Sequence, residues 1–422
     1  AMAYLTTAPR GTKDILPAET PKWQHLESTL LSTARRYGFR EIRIPTFEHT
    51  ELFDRSVGDT TDVVQKEMYT FTDKGDRSVT LRPEGTAGIA RAALEHGLLG
   101  DALPLKVSYD ITCFRYEKPG SGRYREFHQF GVELYGSTAP AADSEILALA
   151  YDCLTTLGLG SVVLEINSLG CKECRKAYVK ALLEYFGQYR DRLCATCLER
   201  LDKNPLRVLD CKSPEDKRIA AGAPSILDYL CDDCNAHFQE VKARLDAAGI
   251  PYLVEPTIVR GLDYYTRTVF ELVHTAPTGE RVVCGGGGRY GDLIQELGGP
   301  PTEGIGFAMG LERLLSTMLA EGCAFPEEPG CDLCLVSMGQ AAGVRAFQLA
   351  DQLRRRGVHA QCDLMGRSVK AQMKYANKIS AKYVIVLGDD ELAKEEAQLK
   401  PMQGGDPAPV ALTAEAIAKA LA

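Results

Sequence analysis

No stretch of about eighteen apolar residues occurs in these 422 residues, which leaves no candidate for a membrane-spanning helix. The opening run "AMAYLTTAPRGTKD" lacks the basic-then-apolar design of a secretory signal, so a cytoplasmic chain is expected. Internal repeats and low-complexity tracts are also missing, which excludes repeat and compositionally biased architectures. Nor is there a surplus of positive charge. Lys and Arg number 49 against 57 Asp and Glu, and a net charge of −8 argues against indiscriminate polyanion binding while leaving room for a local basic surface. What the chain does hold in quantity is cysteine. Fourteen thiols without an export signal read as reduced side chains or metal ligands rather than a disulfide framework. With 45% hydrophobic and 25% charged residues the chain is an ordinary globular one, long enough for about two to three domains.

Periodicity organises it. From Pro21, the residues Trp23, Leu26, Leu30, Ala34 and Tyr37 share one helical face, with Gly38 as a stop. "EIRIPTF" reads as a strand, and "SVTLRPEGTAGIARAALEHG" as a strand, a turn at Pro83–Gly85 and a helix. "LKVSYDITCFRYEKPGSGRYREFHQFGVELYG" predicts a long antiparallel hairpin around a Gly/Pro/Ser loop. In its second strand Phe127, Gln129, Gly131 and Glu133 fall on one face, whose polarity predicts that it does not pack on a core. "DSEILALAYDCLTTLGLG" reads as a capped amphipathic helix. From about 170 to 255 the texture turns helical, cysteine-rich and charged before β patterning returns, which predicts an insertion within a catalytic domain spanning 1–325. After a linker-like stretch at 321–332, residues 331–422 carry a βαβαβ rhythm expected of a small doubly wound α/β domain. The expected fold class is therefore α/β: an antiparallel sheet flanked by helices, a helical insertion and a C-terminal α/β domain.

Three segments concentrate arginine beside glycine or a hairpin. Arg115 and Glu117 precede the hairpin loop and Arg123 and Arg125 follow it; Arg313 opens a helix after "GIGFAMG". Guanidinium forks on a rigid support suit phosphate oxygens, whereas a solvated charged hairpin is the plainer alternative. "VVCGGGGRYGDLIQELGG" formally satisfies the G-x-G-x-x-G pattern of dinucleotide sites, but "GGPP" would break the following helix almost at once. A ligand-facing strand is the better reading, because a glycine run lets the backbone approach a ligand closely. Together the segments suggest a nucleoside triphosphate held on an antiparallel sheet.

"FRYE…GRYREFHQFG", "GIGFAMGLERL" and "GFREIRIPTFEHTELF" resemble motifs 2, 3 and 1 of class II aminoacyl-tRNA synthetases. "RGTKDILP", "TLRPEGTAG" and above all "RGLDYY" narrow the resemblance to the histidyl-tRNA synthetase family, over essentially the whole chain. The resemblance implies ATP-dependent ligation of histidine to tRNA(His) through a histidyl-adenylate, with magnesium beside the β- and γ-phosphates. It implies that Arg115 holds the α-phosphate and substrate carboxylate, that Glu117 meets the adenine, and that Arg123 and Arg313 hold the outer phosphates. Arg260 would face Arg115 at the α-phosphate. Glu84, Gly85 and Thr86 match the loop receiving the amino group, while Gln129, Glu133, Tyr264 and Tyr265 match the pocket around ammonium and imidazole. A homodimer through motif 1 and an anticodon-binding C-terminal domain follow from the same likeness. One departure is the order Gly291–Asp292, where the family pattern runs closer to "RYDGL".

Two features stand outside the resemblance. Lys370, Lys374, Lys378 and Lys382 recur every four residues, and from Arg354 to Lys382 eight Lys/Arg face the single acid Asp363, so a tRNA phosphate contact competes with a solvated helix face. "CKEC" and "CATC" place Cys171, Cys174, Cys194 and Cys197 in a C-x₂-C-x₁₉-C-x₂-C spacing suited to a structural zinc, with Cys211, Cys231 and Cys234 as further candidates and free thiols as the alternative. A catalytically dead relative acting as a regulatory subunit in histidine biosynthesis would share the fold but lack the anticodon domain and parts of the histidine motifs; this chain has both.

Overall fold

The computed structural model describes residues 5–57, 63–120, 122–211, 213–258, 265–276, 279–326 and 330–422. The chain divides into two compact units, Ala1–Pro326 and Glu327–Ala422.

The first unit is built on an eight-stranded sheet. Its six central strands run in the spatial order Leu105–Phe114, Glu126–Tyr135, Gly304–Gly310, Arg281–Tyr290, Tyr265–Thr275 and Val162–Ser168, each antiparallel to its neighbour. The predicted hairpin is the first pair, with Tyr109 opposite Gly131 and Val107 opposite Glu133. Period-two alternation sorts the side chains between the two faces. Phe130, Val132, Leu134, Phe270, Leu272, Ile305, Phe307 and Met309 point into one core, packed under Trp23, Leu26 and Leu30 of the helix Thr20–Arg36, Ile146 and Leu149 of Pro140–Thr156, and Leu314 and Met318 of Leu311–Glu321. The other face carries Val107, Tyr109, Ile111, Tyr265 and Tyr290 against the helix Thr86–Glu95.

One expectation changes. The helix read from Asp143 begins at Pro140, and Asp143 does not cap it but lies fully buried in its first turn. The helix is amphipathic with a narrow outer stripe: Ala141, Glu145, Ala148, Asp152 and Thr155 are exposed or partly so, whereas Ala142, Ser144, Ile146, Leu147, Leu149 and Ala150 are buried towards the sheet and the helix Asp232–Ala247. That last helix sends Phe238, Val241 and Leu245 into the main core, whereas residues from Tyr178 to Ile226 form a core of their own.

In the second unit the strands Leu333–Ser337, Ala360–Cys362 and Tyr383–Leu387 are parallel, as the βαβαβ rhythm predicts. Two further strands, Glu396–Pro401 and Ala408–Ala411, extend the sheet antiparallel, making it mixed. Among the described residues no helix is long and apolar enough to cross a membrane.

Candidate active site

The pocket-facing side of the central strands is stripped of side chains where they meet. Gly306 lies between Glu133 and Gly288 across three strands. A methyl group on Gly306 would come within 2.1 Å of Glu133 Oε2, so only glycine lets the carboxylate lie over the sheet. The glycine run is therefore the middle of a strand that forms a concave floor, not a strand-to-helix loop. The helix after it, Leu293–Glu296, has four residues, so the dinucleotide fingerprint is absent in three dimensions. Gly291 would meet only Thr266 at 3.7 Å, and Asp292 pairs with Lys172 at 2.8 Å, so the inverted order is accommodated without strain.

Over this floor sits a cavity of about 280 Å³. At one end lies Glu133, 1% exposed. Its Oε1 accepts from Thr86 Oγ1 at 2.8 Å and Tyr109 Oη at 3.3 Å, and its Oε2 from Tyr290 Oη. Among the described residues every partner is a neutral hydroxyl. Burial pushes the carboxyl up to about 8, against the lowering effect of those hydrogen bonds. The expectation that this strand face avoids the core fails here: Glu133 is buried at the pocket floor, while Gln129 stays half-exposed beside the cavity. Glu84 is also buried, with its oxygens accepting from the backbone N–H groups of Thr86 and Ala87 at 2.7 and 2.8 Å. It thus caps the helix Thr86–Glu95, and burial raises its pKa. Gly85 packs its Cα edge on Tyr109.

The other end is cationic. Arg115 donates through Nε to the Pro83 carbonyl at 2.8 Å and stacks on Phe127. Arg313 donates to the Val283 carbonyl at 2.8 Å, and Arg123 lies 3.3 Å from Glu117. All three arginines and Glu117 line the same cavity. The Arg313 guanidinium is held below its ordinary pKa by burial and then by the nearby Arg123 and Arg115, a repulsion that an anionic ligand would relieve. Arg125 turns away, with its guanidinium 3.7 Å from the Tyr116 ring.

The fold thus gathers Glu84, Thr86, Arg115, Glu117, Arg123, Gln129, Glu133, Tyr265 and Arg313 around one cavity. Arg260 and Tyr264 lie outside the described residues. Tyr109 and Tyr290, which hold Glu133, went unread in the sequence: each is one aromatic in an alternating strand, with nothing local to separate a pocket hydroxyl from a core ring. Lys370, Lys374 and Lys378 are exposed on the helix Val369–Lys378, but Lys382 falls beyond its end and pairs with Asp332.

The predicted cysteine quartet is corrected. Cys171 and Cys174 cluster with Cys231 and Cys234, whereas Cys194 and Cys197 cluster with Cys211 and Asp216. The 16-residue helix Lys172–Gly187 starts at the first pair and, at roughly 24 Å, carries the chain away before the second pair begins.

A family model described as histidyl-tRNA synthetase matches residues 11–314, and one described as an anticodon binding domain matches 332–421. Histidine–tRNA ligases of Acetivibrio thermocellus and Clostridium novyi are each 51% identical, over 97% and 96% of this chain and 98% and 96% of theirs. The solved apo histidyl-tRNA synthetase of S. aureus is 40% identical with a TM-score of 0.84, covering 99% of this chain and all of that one. A Bacillus halodurans chain described as an ATP phosphoribosyltransferase regulatory subunit/histidyl-tRNA synthetase aligns at a TM-score of 0.67 over 91% of this chain and 99% of its own; at 23% identity it shares the fold alone.

Proposed function

The chain belongs to the histidyl-tRNA synthetase family and acts as a histidine–tRNA ligase, and from that premise we propose how its pocket divides the work. One observation carries the proposal: a single cavity has a buried acid lacking a cationic partner among the described residues at one end and three convergent arginines at the other. Histidine fits the first end. Glu133 and Gln129 receive the imidazole and ammonium with Tyr264 and Tyr265, and Glu84, Gly85 and Thr86 border the amino group. A pocket of buried polar groups rejects apolar competitors, which leave those groups unpaired. ATP fits the second end, with Arg115 on the α-phosphate, Glu117 at the adenine, and Arg123 and Arg313 on the outer phosphates. Magnesium would accompany the β- and γ-phosphates and neutralise part of their charge.

The histidine carboxylate attacks the α-phosphorus, pyrophosphate leaves, and the tRNA's terminal ribose hydroxyl then takes the acyl group. Catalysis here is chiefly positioning and charge stabilisation. Arg115, held by Pro83 and Phe127, is preorganised for this, and Arg260 is assigned the opposite side of the α-phosphate. The unit from 331 to 422 is assigned the anticodon, with Lys370, Lys374 and Lys378 on tRNA phosphates, and residues 1–325 the chemistry, interrupted by the module at 170–255.

A homodimer is assigned to motif 1, whose Phe47 is about half exposed and shares with Phe71 one face of the sheet formed by Phe47–His49, Ser78–Leu81 and Tyr69–Thr72. Light scattering at micromolar concentration tests it, and a monomer there sinks it. The division of the pocket is tested by exchange of labelled pyrophosphate into ATP. Exchange is expected with histidine and with none of the other standard amino acids; exchange without histidine, or its absence, would overturn the reading.

A further inference from the structure

Three C-x₂-C pairs in the first unit share one local geometry. Cys171, Cys194 and Cys231 each stand immediately before a helix, and Cys174, Cys197 and Cys234 are the third residue of those helices: Lys172–Gly187, Ala195–Lys203 and Asp232–Ala247. Both sulfurs of a pair are thus gathered at a helix N-terminus, where backbone N–H groups favour negative charge. The fold then brings the first and third pairs together across 57 residues and joins the second to Cys211 and Asp216. In each group all four ligand atoms lie within 4.8 Å of one another.

The spacings suit a metal better than a disulfide. Cys171 and Cys174 sulfurs are 3.5 Å apart, and those of Cys194 and Cys211 3.9 Å. A disulfide needs about 2.05 Å. Four sulfurs around a tetrahedral zinc at about 2.3 Å stand roughly 3.8 Å apart. The hydrogen bonds around the sulfurs fit bound thiolates as well: the Cys231 N–H points at Cys174 Sγ at 3.1 Å, and the Ser213 N–H at Cys211 Sγ at 3.4 Å.

Asp216 supplies an independent sign. It is 1% exposed, and among the described residues no Lys or Arg pairs with it; its carboxylate meets the Cys211 thiol at 3.2 Å and the Cys194 N–H at 3.2 Å. A carboxylate buried beside three cysteines in an apolar core is costly without a cation, and a divalent metal is the cation that also suits the thiols.

We propose that this chain binds two structural zinc ions, one on Cys171, Cys174, Cys231 and Cys234 and one on Cys194, Cys197, Cys211 and Asp216. Each filled centre carries a charge of −2, from four thiolates around the dication in the first and from three thiolates and the Asp216 carboxylate in the second, with any thiol protons passing to solvent. The ions have different mechanical roles. The second holds together the module's own core, which contains Cys197 and Cys211. The first clamps the root of the module's first helix, joining the start of Lys172–Gly187 to the start of Asp232–Ala247, whose Phe238, Val241 and Leu245 lie in the main core.

That root is bound to the strand Tyr265–Thr275. The Gly170 carbonyl accepts from Thr266 Oγ1 at 3.0 Å and Arg267 N–H at 2.9 Å, and Arg175 donates to the Tyr265 carbonyl. Gly170 has a φ of +63°, and a methyl there would lie 2.4 Å from Cys174 Cβ, so the root is a turn only glycine can make. The first zinc therefore also steadies the segment that brings Tyr265 to the pocket, a consequence that rests on the ligase reading.

The test is zinc content by inductively coupled plasma mass spectrometry on the full chain, purified without chelators or metal-affinity resin. Two zinc ions per chain are expected, falling to one in Cys234→Ser, to one in Cys197→Ser and to none in the double variant. X-ray absorption on the wild type needs no variant to fold; it is expected to show a shell dominated by sulfur at about 2.3 Å. Well under one zinc per folded chain with all fourteen thiols titrating would overturn the proposal, as would fewer than fourteen thiols in metal-free protein, the mark of disulfides. One zinc per chain would overturn the centre whose variant leaves it in place. None of these measurements involves histidine, ATP or tRNA, so their failure is separate from failure of the ligase reading. The steadying role has its own readout: KM for histidine rises about tenfold in Cys234→Ser and stays within about twofold in Cys197→Ser, and equal values in two folded variants would remove it.

Discussion

Arg289 and Tyr290 are neighbours in one strand, point to opposite faces of the sheet, and each bonds a carboxylate that water does not reach. On the helix-covered face Arg289 spends all five of its donors: on Asp143 through Nε and Nη2, on Glu303, and on the carbonyls of Ser137 and Ala139. His237 adds a contact to Asp143 at 3.2 Å. Burial alone would raise the Asp143 pKa; His237 and Arg289 overcome that and hold it below the usual carboxylate range. On the pocket face Tyr290 gives Glu133 only a hydroxyl, as do Thr86 and Tyr109, and the carboxyl stays up at about 8. The first acid is completed by the protein and fixes structure. The second has no cationic partner among the described residues, a deficit that the proposed histidine ligand would fill. A buried acid's partners, rather than its burial, separate a structural group from a binding one.

The sharpest way to break this comparison is to remove the completed pair. Arg289→Met should lower the unfolding free energy by about 3–5 kcal/mol, since it leaves Asp143 buried beside few remaining donors. Urea denaturation measures it, and a loss below about 1 kcal/mol would make the pair as dispensable as a surface bridge. Glu133→Gln should do the reverse. Its denaturation midpoint is expected to hold or rise, while kcat/KM for histidine in pyrophosphate exchange falls on the order of 10³-fold. An active Gln variant would return Glu133 to the structural class.

For Arg260, assigned to the α-phosphate by the family resemblance, Arg260→His should slow adenylate formation on the order of 10²–10³-fold with folding near normal. Transfer from preformed adenylate should suffer less, because no pyrophosphate is then displaced. Single-turnover measurement of each step decides, and equal slowing of both would remove the assigned role.

The two acids should also give stability opposite slopes with pH. Glu133 binds its proton more tightly folded than unfolded, so between the ordinary glutamate range and about pH 8 the native state carries the extra proton. Its contribution is full below that range and falls by about 1.4 kcal/mol per pH unit until the folded pKa is passed. Asp143 is the mirror case: its contribution is present above the unfolded carboxylate range and is lost as pH falls toward its depressed folded value. Melting of the ligand-free protein from pH 5 to 9 should therefore show an alkaline decline that Glu133→Gln removes; a decline unchanged in that variant would assign it to other groups.

The smallest effect lies in the second unit. Replacing Lys374 and Lys378 with Ala should weaken tRNA binding and reduce its dependence on log salt by about one unit per lost contact, with adenylate formation intact. Unchanged binding would leave the lysines as a solvated face.

Family, activity and the arginine-bearing hairpin were legible in the chain because they rest on local order: Arg115 and Arg123 flank one loop, alternation sets which residues share a strand face, and "RGLDYY" is contiguous. The cysteine pairs were equally legible one by one, since each reports only its own helix start. Their partners were not. Cys231 meets Cys174 because the helix Asp232–Ala247, packed in the main core, starts beside the start of Lys172–Gly187, and sequence spacing favoured Cys194 because the line of text does not show a helix carrying it away. Glu133 was named from the sequence as a pocket residue and Asp143 as the cap of a helix, but nothing local marked either as a fully buried acid. Whether a carboxylate at the bottom of a fold faces a guanidinium or three hydroxyls depends on elements brought together from 24 to 157 residues away, and in a low-dielectric interior that choice of neighbour sets its charge.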